Sequence, residues 1–142
     1  MNFEPSLWSK AHGAATHFPI ALLLVSAFCD AVAFFGREPA FRRNFRFVGT
    51  VTAMLGALGS YAAVVTGLAL TQGQMWGHGA LLHHHQFVWP SFILMTALAA
   101  WRAVARGEPT RPAQAAYLGL AALAAVLVGG AGYWGGELIS KE

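Results

Sequence analysis

The chain has 142 residues, enough for one domain; 11% of them are charged and 56% are hydrophobic. Soluble domains carry about 25% charged residues, so this composition excludes an ordinary soluble globule and predicts a membrane protein. The net charge of +3 does not indicate nucleic-acid binding, because the basic residues fall in short loops and form no continuous basic face. A single cysteine, Cys29, excludes an intrachain disulfide, and the lack of a CxxCH motif excludes covalent c-type haem attachment.

Four apolar runs predict an all-α, integral membrane fold. A helix crosses a bilayer with about 20 apolar residues, and lipid-exposed backbone must satisfy its own hydrogen bonds. The connections are short, so we expect an antiparallel, up-and-down four-helix bundle that forms one domain over residues 1–142. The predicted spans are residues 17–35, 47–70, 86–105 and 113–134.

The distribution of basic residues predicts the orientation of the bundle. Seven of the nine lie around the two connections on one side, and positive charge is retained in the cytoplasm. We therefore expect a bacterial inner-membrane protein with both termini in the periplasm. The first span lacks a basic leading segment and an A-x-A site, which predicts a retained helix rather than a signal peptide. The seven residues are Arg37, Arg42, Arg43, Arg46, Arg102, Arg106 and Arg111, against Lys10 and Lys141.

The first span carries polar residues at both of its ends. His12 and His17 lie at the predicted outer end, and Asp30 lies inside the span near the cytoplasmic end. An acidic residue within a membrane span is by default a candidate functional residue. A salt bridge to the neighbouring loop arginines is the alternative that we favour; the candidates are Arg37, Arg42, Arg43 and Arg46.

Small residues mark one face of the second span and the end of the fourth. Such residues allow close approach of a neighbouring helix, and a stripe of them could equally make room for a flat macrocycle. We favour the packing interpretation. The stripe is Gly49, Ala53, Gly56, Ser60, Ala63 and Gly67, and the glycines of the fourth span are Gly129, Gly130, Gly132, Gly135 and Gly136.

All six histidines lie at the predicted outer face, which suggests a cofactor site built from facing helices. Imidazole is an axial ligand of haem iron. We expect His17, at the edge of the hydrocarbon, to bind haem b together with one member of the His83, His84, His85 triplet. Consecutive helical residues point about 100° apart, so one or two of the triplet face the core. His12 is the second candidate on the first span.

Two alternatives stay open at this point. The same histidines suit copper or zinc, with His17, His84 and His85 as ligands and Glu137 near them. The histidines could also be solvated interfacial residues of a structural subunit without a cofactor. No hydrolytic nucleophile or base is evident, so a redox component is favoured over an independent enzyme. Its expected partners are lipid, a periplasmic redox protein or quinone, and a second copy of the chain.

Several segments together resemble the bacterial membrane family of domain of unknown function 2231. They are H-x4-HFPIALLL from His12 to Leu24, Asp30, the histidines that begin the third span, and GYWGGEL from Gly132 to Leu138. The resemblance covers nearly the whole chain and implies a four-helix inner-membrane protein. Relatives fused to Rieske or c-type cytochrome domains imply a redox setting. The motif falls on His12, His17, Phe18, Pro19, Asp30, Gly135, Gly136 and Glu137.

Overall fold

The computed structural model describes residues 6–105 and 108–140, with side chains as far as Leu138. Its four α-helices are each long enough and apolar enough to span a membrane, which confirms the all-α class, and each helix overlaps one of the predicted spans. Every helix begins before the corresponding predicted span. The helices are α1 (Leu7–Phe35), α2 (Pro39–Leu70), α3 (Ala80–Val104) and α4 (Arg111–Ser140).

Polar caps explain why the first two helices begin before their apolar runs. The Ser6 hydroxyl accepts a hydrogen bond from the backbone N–H of Ser9 at 3.1 Å. The Glu38 carboxylate accepts from the N–H groups of Ala40 and Phe41, at 2.9 and 2.6 Å, and Pro39 occupies the first turn. Such caps satisfy the free N–H groups of a first turn. Hydropathy marks where the hydrocarbon region begins, whereas these caps mark where each helix begins.

The small-residue stripe of α2 packs against α1. A Cβ atom added at Gly49 would lie 3.1 Å from Asp30 Oδ1, and one at Gly56 would lie 3.2 Å from Leu22 Cβ. One added at Gly67 would lie 2.9 Å from His12 Cε1. Because larger residues at these positions would force the two helices apart, the packing interpretation of the stripe is confirmed.

The core lies between α1, α3 and α4. Its buried residues include two alanines of α4, against which larger side chains of α1, α3 and α4 pack, so the helices interdigitate. The outer surface carries large exposed apolar side chains on all four helices, such as Phe28, Phe47, Ile93 and Val126. An apolar surface of this extent is typical of contact with lipid. The core residues are Leu23, Met95, Leu98, Tyr117, Ala121 and Ala124.

The five glycines in the last three turns of α4 divide into two groups. A Cβ atom at Gly130 would lie 2.5 Å from the Phe87 ring, and one at Gly135 would lie 3.4 Å from the His84 ring. Added Cβ atoms at the other three, Gly129, Gly132 and Gly136, would meet no described atom within 4 Å. The expected close approach is therefore confirmed at two positions, and the GxxxG pair does not face a neighbouring helix within the described chain.

Candidate functional site

Three histidines from two helices meet where α1 and α3 begin and α2 and α4 end; this is called the histidine end. His12 comes from α1, and His84 and His85 lie in the first turns of α3. The rings of His84 and His85 are 5.8 Å apart, and all three imidazoles lie close enough to interact electrostatically. His85 is buried, with 6% of its surface exposed. These three residues are called the histidine cluster.

Two members of the histidine cluster are fixed by backbone carbonyls. His12 Nδ1 donates to the carbonyl of Ala63 at 3.0 Å, and His84 Nδ1 donates to that of Ala131 at 2.8 Å. A carbonyl oxygen only accepts hydrogen bonds, so Nδ1 carries the proton and Nε2 presents its lone pair. Histidines that bind metals show this same anchoring, because it fixes the ring and raises its basicity.

Glycines allow both rings to lie directly against a helix backbone. Gly67 of α2 faces the ring of His12, and Gly135 of α4 faces the ring of His84. At Gly67 even one added carbon would lie 2.9 Å from the ring, which is closer than real Cβ contacts. The position of the His12 ring therefore depends on glycine at the end of α2, whereas a Cβ atom at Gly135 would make an ordinary contact with the His84 ring at 3.4 Å.

The other predicted histidines lie outside this cluster. His17 is exposed on α1, and His78 is exposed in the loop before α3. His83 is also exposed; its ring stacks on Trp134 at 4.5 Å, and its Nδ1 lies 3.2 Å from Gln86 Oε1. The structure therefore brings His12, rather than His17, together with the triplet. Sequence reasoning preferred His17 because it adjoins the apolar run.

The two predicted site residues on α4 differ in their surroundings. Gly136 is exposed, and no described atom lies within 4 Å of its added Cβ, whereas its neighbour Gly135 faces His84. Glu137 is half-buried in the last turns of α4, at the histidine end. Among residues 6–105 and 108–140, no group of three or more His, Cys, Asp or Glu side chains has an arrangement that could hold a metal ion. The described donors therefore amount to the anchored pair His12 and His84, with His85 beside them.

An apolar groove of about 570 Å³ lies along α3 next to the histidine cluster. The rings of Trp89 and His85 are 6.2 Å apart, and Trp89 Nε1 donates to the carbonyl of Met75 at 2.8 Å. This bond ties the loop before α3 to the groove. The lining residues are Trp76, Gln86, Trp89, Pro90, Ile93, Leu94 and Ala97, so the groove lies beside the anchored histidines rather than between them.

A second polar cluster lies at the opposite end of the helices, called the arginine end. Asp30, with 1% of its surface exposed, forms an ion pair with Arg102 of α3. Arg102 also donates to Thr50 Oγ1 at 2.8 Å, and its guanidinium lies 4.5 Å from the centroid of the Tyr117 ring. Asp30 is thus paired, as the favoured interpretation expected, but with an arginine outside the four that were considered. Arg102, Thr50 and Tyr117 were missed because three different helices supply them.

Two arginines near Asp30 on the connections, Arg42 and Arg111, have other partners. Arg42 donates to the carbonyl of Ala33 at 3.2 Å, and its guanidinium lies 3.9 Å from the Glu108 carboxylate. Arg111 stacks over the ring of Phe34, with 4.9 Å to the centroid. Arg37 and Arg43 are exposed, and Arg46 lines the cavity beside Asp30. Two other basic residues used to predict orientation, Arg106 and Lys141, lie outside the described residues.

Comparison with protein-family models identifies the family of this chain. The model of a family described as predicted membrane protein, DUF2231, matches residues 10–142. The chain belongs to this family. The match confirms the resemblance in the sequence and includes both polar clusters. No curated protein and no solved structure matches the chain.

In this DUF2231 protein the two polar clusters lie a membrane thickness apart. His12 and Asp30 are 18 residues apart on α1. Gly67 faces His12 and Gly49 faces Asp30, and these two glycines are also 18 residues apart on α2. At about 1.5 Å per residue this is about 27 Å, close to the roughly 30 Å hydrocarbon core of a bilayer. The distance between the histidine cluster and the Asp30–Arg102 pair along α1 is therefore comparable with the thickness of that hydrocarbon core.

Proposed function

We propose that this protein binds haem b at its histidine cluster, where the imidazoles of His12 and His84 would hold the iron. It carries electrons between the membrane and a periplasmic redox protein. One observation carries the proposal: two imidazoles from different helices each have Nδ1 anchored on a carbonyl, at Ala63 and Ala131. His12 takes the place that the sequence assigned to His17.

The number and type of donors fit a haem better than a structural zinc ion. A haem iron requires at most two protein ligands, whereas structural zinc takes four and catalytic zinc takes three. The bound haem would supply one-electron chemistry. The chain would supply the imidazole Nε2 atoms of His12 and His84, and the carbonyls of Ala63 and Ala131 would hold the two rings in place.

The proposed function includes an orientation. We infer an antiparallel, up-and-down bundle with both termini in the periplasm and the histidine end at the periplasmic face. The contact of Asp30 with Gly49, and of His12 with Gly67, supports opposite directions for α1 and α2. The arginines around both connections support a cytoplasmic arginine end. In this orientation the histidine cluster is accessible to a periplasmic electron carrier.

A copper or zinc site is the second candidate, and His85 is the observation that favours it. Its ring is buried, and Nδ1 has no hydrogen-bond partner among the described residues. A metal ion bound by His85 and one neighbouring imidazole of the histidine cluster would occupy that nitrogen, because the three rings do not converge as a set that could hold an ion. Imidazole suits both metals. An ion also needs no room for a macrocycle, and the large groove lies beside the anchored rings.

The composition of the purified protein tests the proposal. Protein produced with ample haem precursor should contain about one haem per chain, measured as the pyridine haemochrome, together with matching iron by elemental analysis. The exposed loop variant His78→Ala is the matched control and should retain the haem. Stoichiometric copper or zinc without haem would establish the second candidate. Absence of haem and both metals would make the histidine cluster a packing feature and overturn both.

A further inference from the structure

Two buried hydrogen-bond acceptors share one cavity at the arginine end. Asp30 Oδ2 and Gln114 Oε1 have no hydrogen-bond partner among the residues that the structure describes. Asp30 is 1% exposed and Gln114 is 5% exposed. Both residues line the same cavity of about 30 Å³. A buried acceptor without a donor is energetically unfavourable, so the pair indicates a ligand that supplies hydrogen-bond donors.

The size of the cavity limits that ligand. A water molecule requires about 10–15 Å³ of such space, so the cavity of about 30 Å³ accommodates one or two waters. A quinone ring or a lipid headgroup is far larger than this. The ligand is therefore a very small molecule or an ion.

The charges around the cavity decide between a small neutral molecule and an ion. The Asp30 carboxylate is already neutralised by Arg102, and Arg46 adds a further positive charge to the lining. Near Arg46, but outside the cavity lining, the opposite charges of Arg42 and Glu108 balance each other. The net positive charge disfavours a metal cation, and the two acceptors disfavour an anion. A neutral molecule with two donors matches both the charge and the hydrogen bonding.

We propose that an internal water binds in this cavity and donates one O–H to Asp30 Oδ2 and the other to Gln114 Oε1. The water links α1 to α4 and completes the hydrogen bonding of an intramembrane carboxylate. Gln114 is already close, since its Nε2 donates to the backbone carbonyl of Asp30 at 3.5 Å. The site is independent of the histidine cluster, so it stands or falls separately from haem binding.

Two substitutions test for the bridging water by the direction in which each changes the melting temperature. Gln114→Leu removes the Oε1 acceptor and also the 3.5 Å hydrogen bond of Nε2 to the Asp30 carbonyl, so with a bridging water two hydrogen bonds are lost and the melting temperature falls by a few degrees. Without a water, the loss of that long hydrogen bond is offset by removal of an unsatisfied acceptor, and the melting temperature stays unchanged or rises. Thr96→Val is the matched control, because Thr96 Oγ1 is also buried without a partner but does not line the cavity. It should leave the melting temperature unchanged or raised.

A structure at a resolution that shows ordered waters completes the test on the full chain. We expect a density peak within hydrogen-bond distance of both Asp30 Oδ2 and Gln114 Oε1, and its loss in Gln114→Leu. An ion with five or six oxygen ligands, a protein side chain in the same place, or no peak would overturn the proposal. An unchanged or raised melting temperature for Gln114→Leu, as for Thr96→Val, would overturn it too.

Discussion

Asp30 near the end of α1 and Arg102 near the end of α3 form an ion pair inside the bundle, 72 residues apart in the chain. Both side chains are largely shielded from solvent, with 2% and 10% exposed. A charge within a membrane span is costly unless it is paired. Each residue therefore neutralises the buried charge of the other. The pair joins α1 to α3, and the hydrogen bond of Arg102 with Thr50 adds α2.

Removing either partner of this pair should destabilise the protein strongly. Asp30→Asn leaves the Arg102 guanidinium buried without its counter-ion, and Arg102→Gln leaves the carboxylate unpaired. Breaking a buried pair in this way costs about 3–5 kcal/mol. The double variant should recover much of this loss, because it leaves no uncompensated charge. Unfolding of the detergent-solubilised protein by heat or denaturant measures all three variants.

Glu108→Gln is the matched control for a solvated pair. Its carboxylate is 61% exposed and lies 3.9 Å from Arg42, so removing its charge should cost less than about 1 kcal/mol. Equal effects of Asp30→Asn and Glu108→Gln would contradict the buried-pair interpretation.

The pairing of Asp30 also shows what the sequence leaves undetermined. Hydropathy locates the four helices because lipid contact requires long apolar runs. The partner of Asp30 depends on which helix ends are neighbours in the bundle, which no local pattern encodes. The nearest arginines along the chain were therefore considered, while Arg102 of α3 forms the pair.

The histidine cluster shows the same limit. His17 adjoins the apolar run, so hydropathy favours it, but the register of α1 on α2 places His12 against Gly67. The small-residue stripe contained this information. If Asp30 had been aligned with Gly49, the first residue of the stripe, His12 would have faced Gly67, the last one. Which of the triplet joins His12 depends on the rotation of α3, which the sequence does not provide.

Two adjacent glycines of α4 should respond oppositely to alanine. A Cβ atom at Gly130 would lie 2.5 Å from the Phe87 ring, whereas one at Gly129 would meet no described atom within 4 Å. Gly130→Ala should cost about 1–3 kcal/mol through overpacking, and Gly129→Ala should be neutral or stabilising. Thermal unfolding compares the two variants. If they behave identically, α4 does not pack on α3 as described.

Reporter fusions should establish the orientation. A periplasm-active enzyme fused after Glu142 should be active, and one inserted before Pro39 should be inactive, because the arginines hold that connection in the cytoplasm. An insertion in the loop at Gly73 should be active. The reverse pattern would place the histidine end in the cytoplasm and contradict transfer of electrons to a periplasmic carrier.

Gly67→Ala should reduce the cofactor content with little loss of folded protein. The added carbon lies 2.9 Å from His12 Cε1, so the ring must move from its anchor on Ala63. Gly119→Ala on α4 is the control, because no described atom lies within 4 Å of its added Cβ. The measurement is haem or metal per folded chain after size-exclusion chromatography. Full occupancy in Gly67→Ala would show that the anchored position of His12 is not required.

The reduced-minus-oxidised visible spectrum of single histidine variants tests the central claim most directly. Wild-type protein should show the sharp reduced α-band of a six-coordinate b-type haem. His12→Ala and His84→Ala should each lose the haem or make it five-coordinate, whereas the exposed His17→Ala should retain the wild-type spectrum. If His17→Ala abolishes the band and His12→Ala leaves it unchanged, the assignment of His12 and His84 as the ligand pair is contradicted.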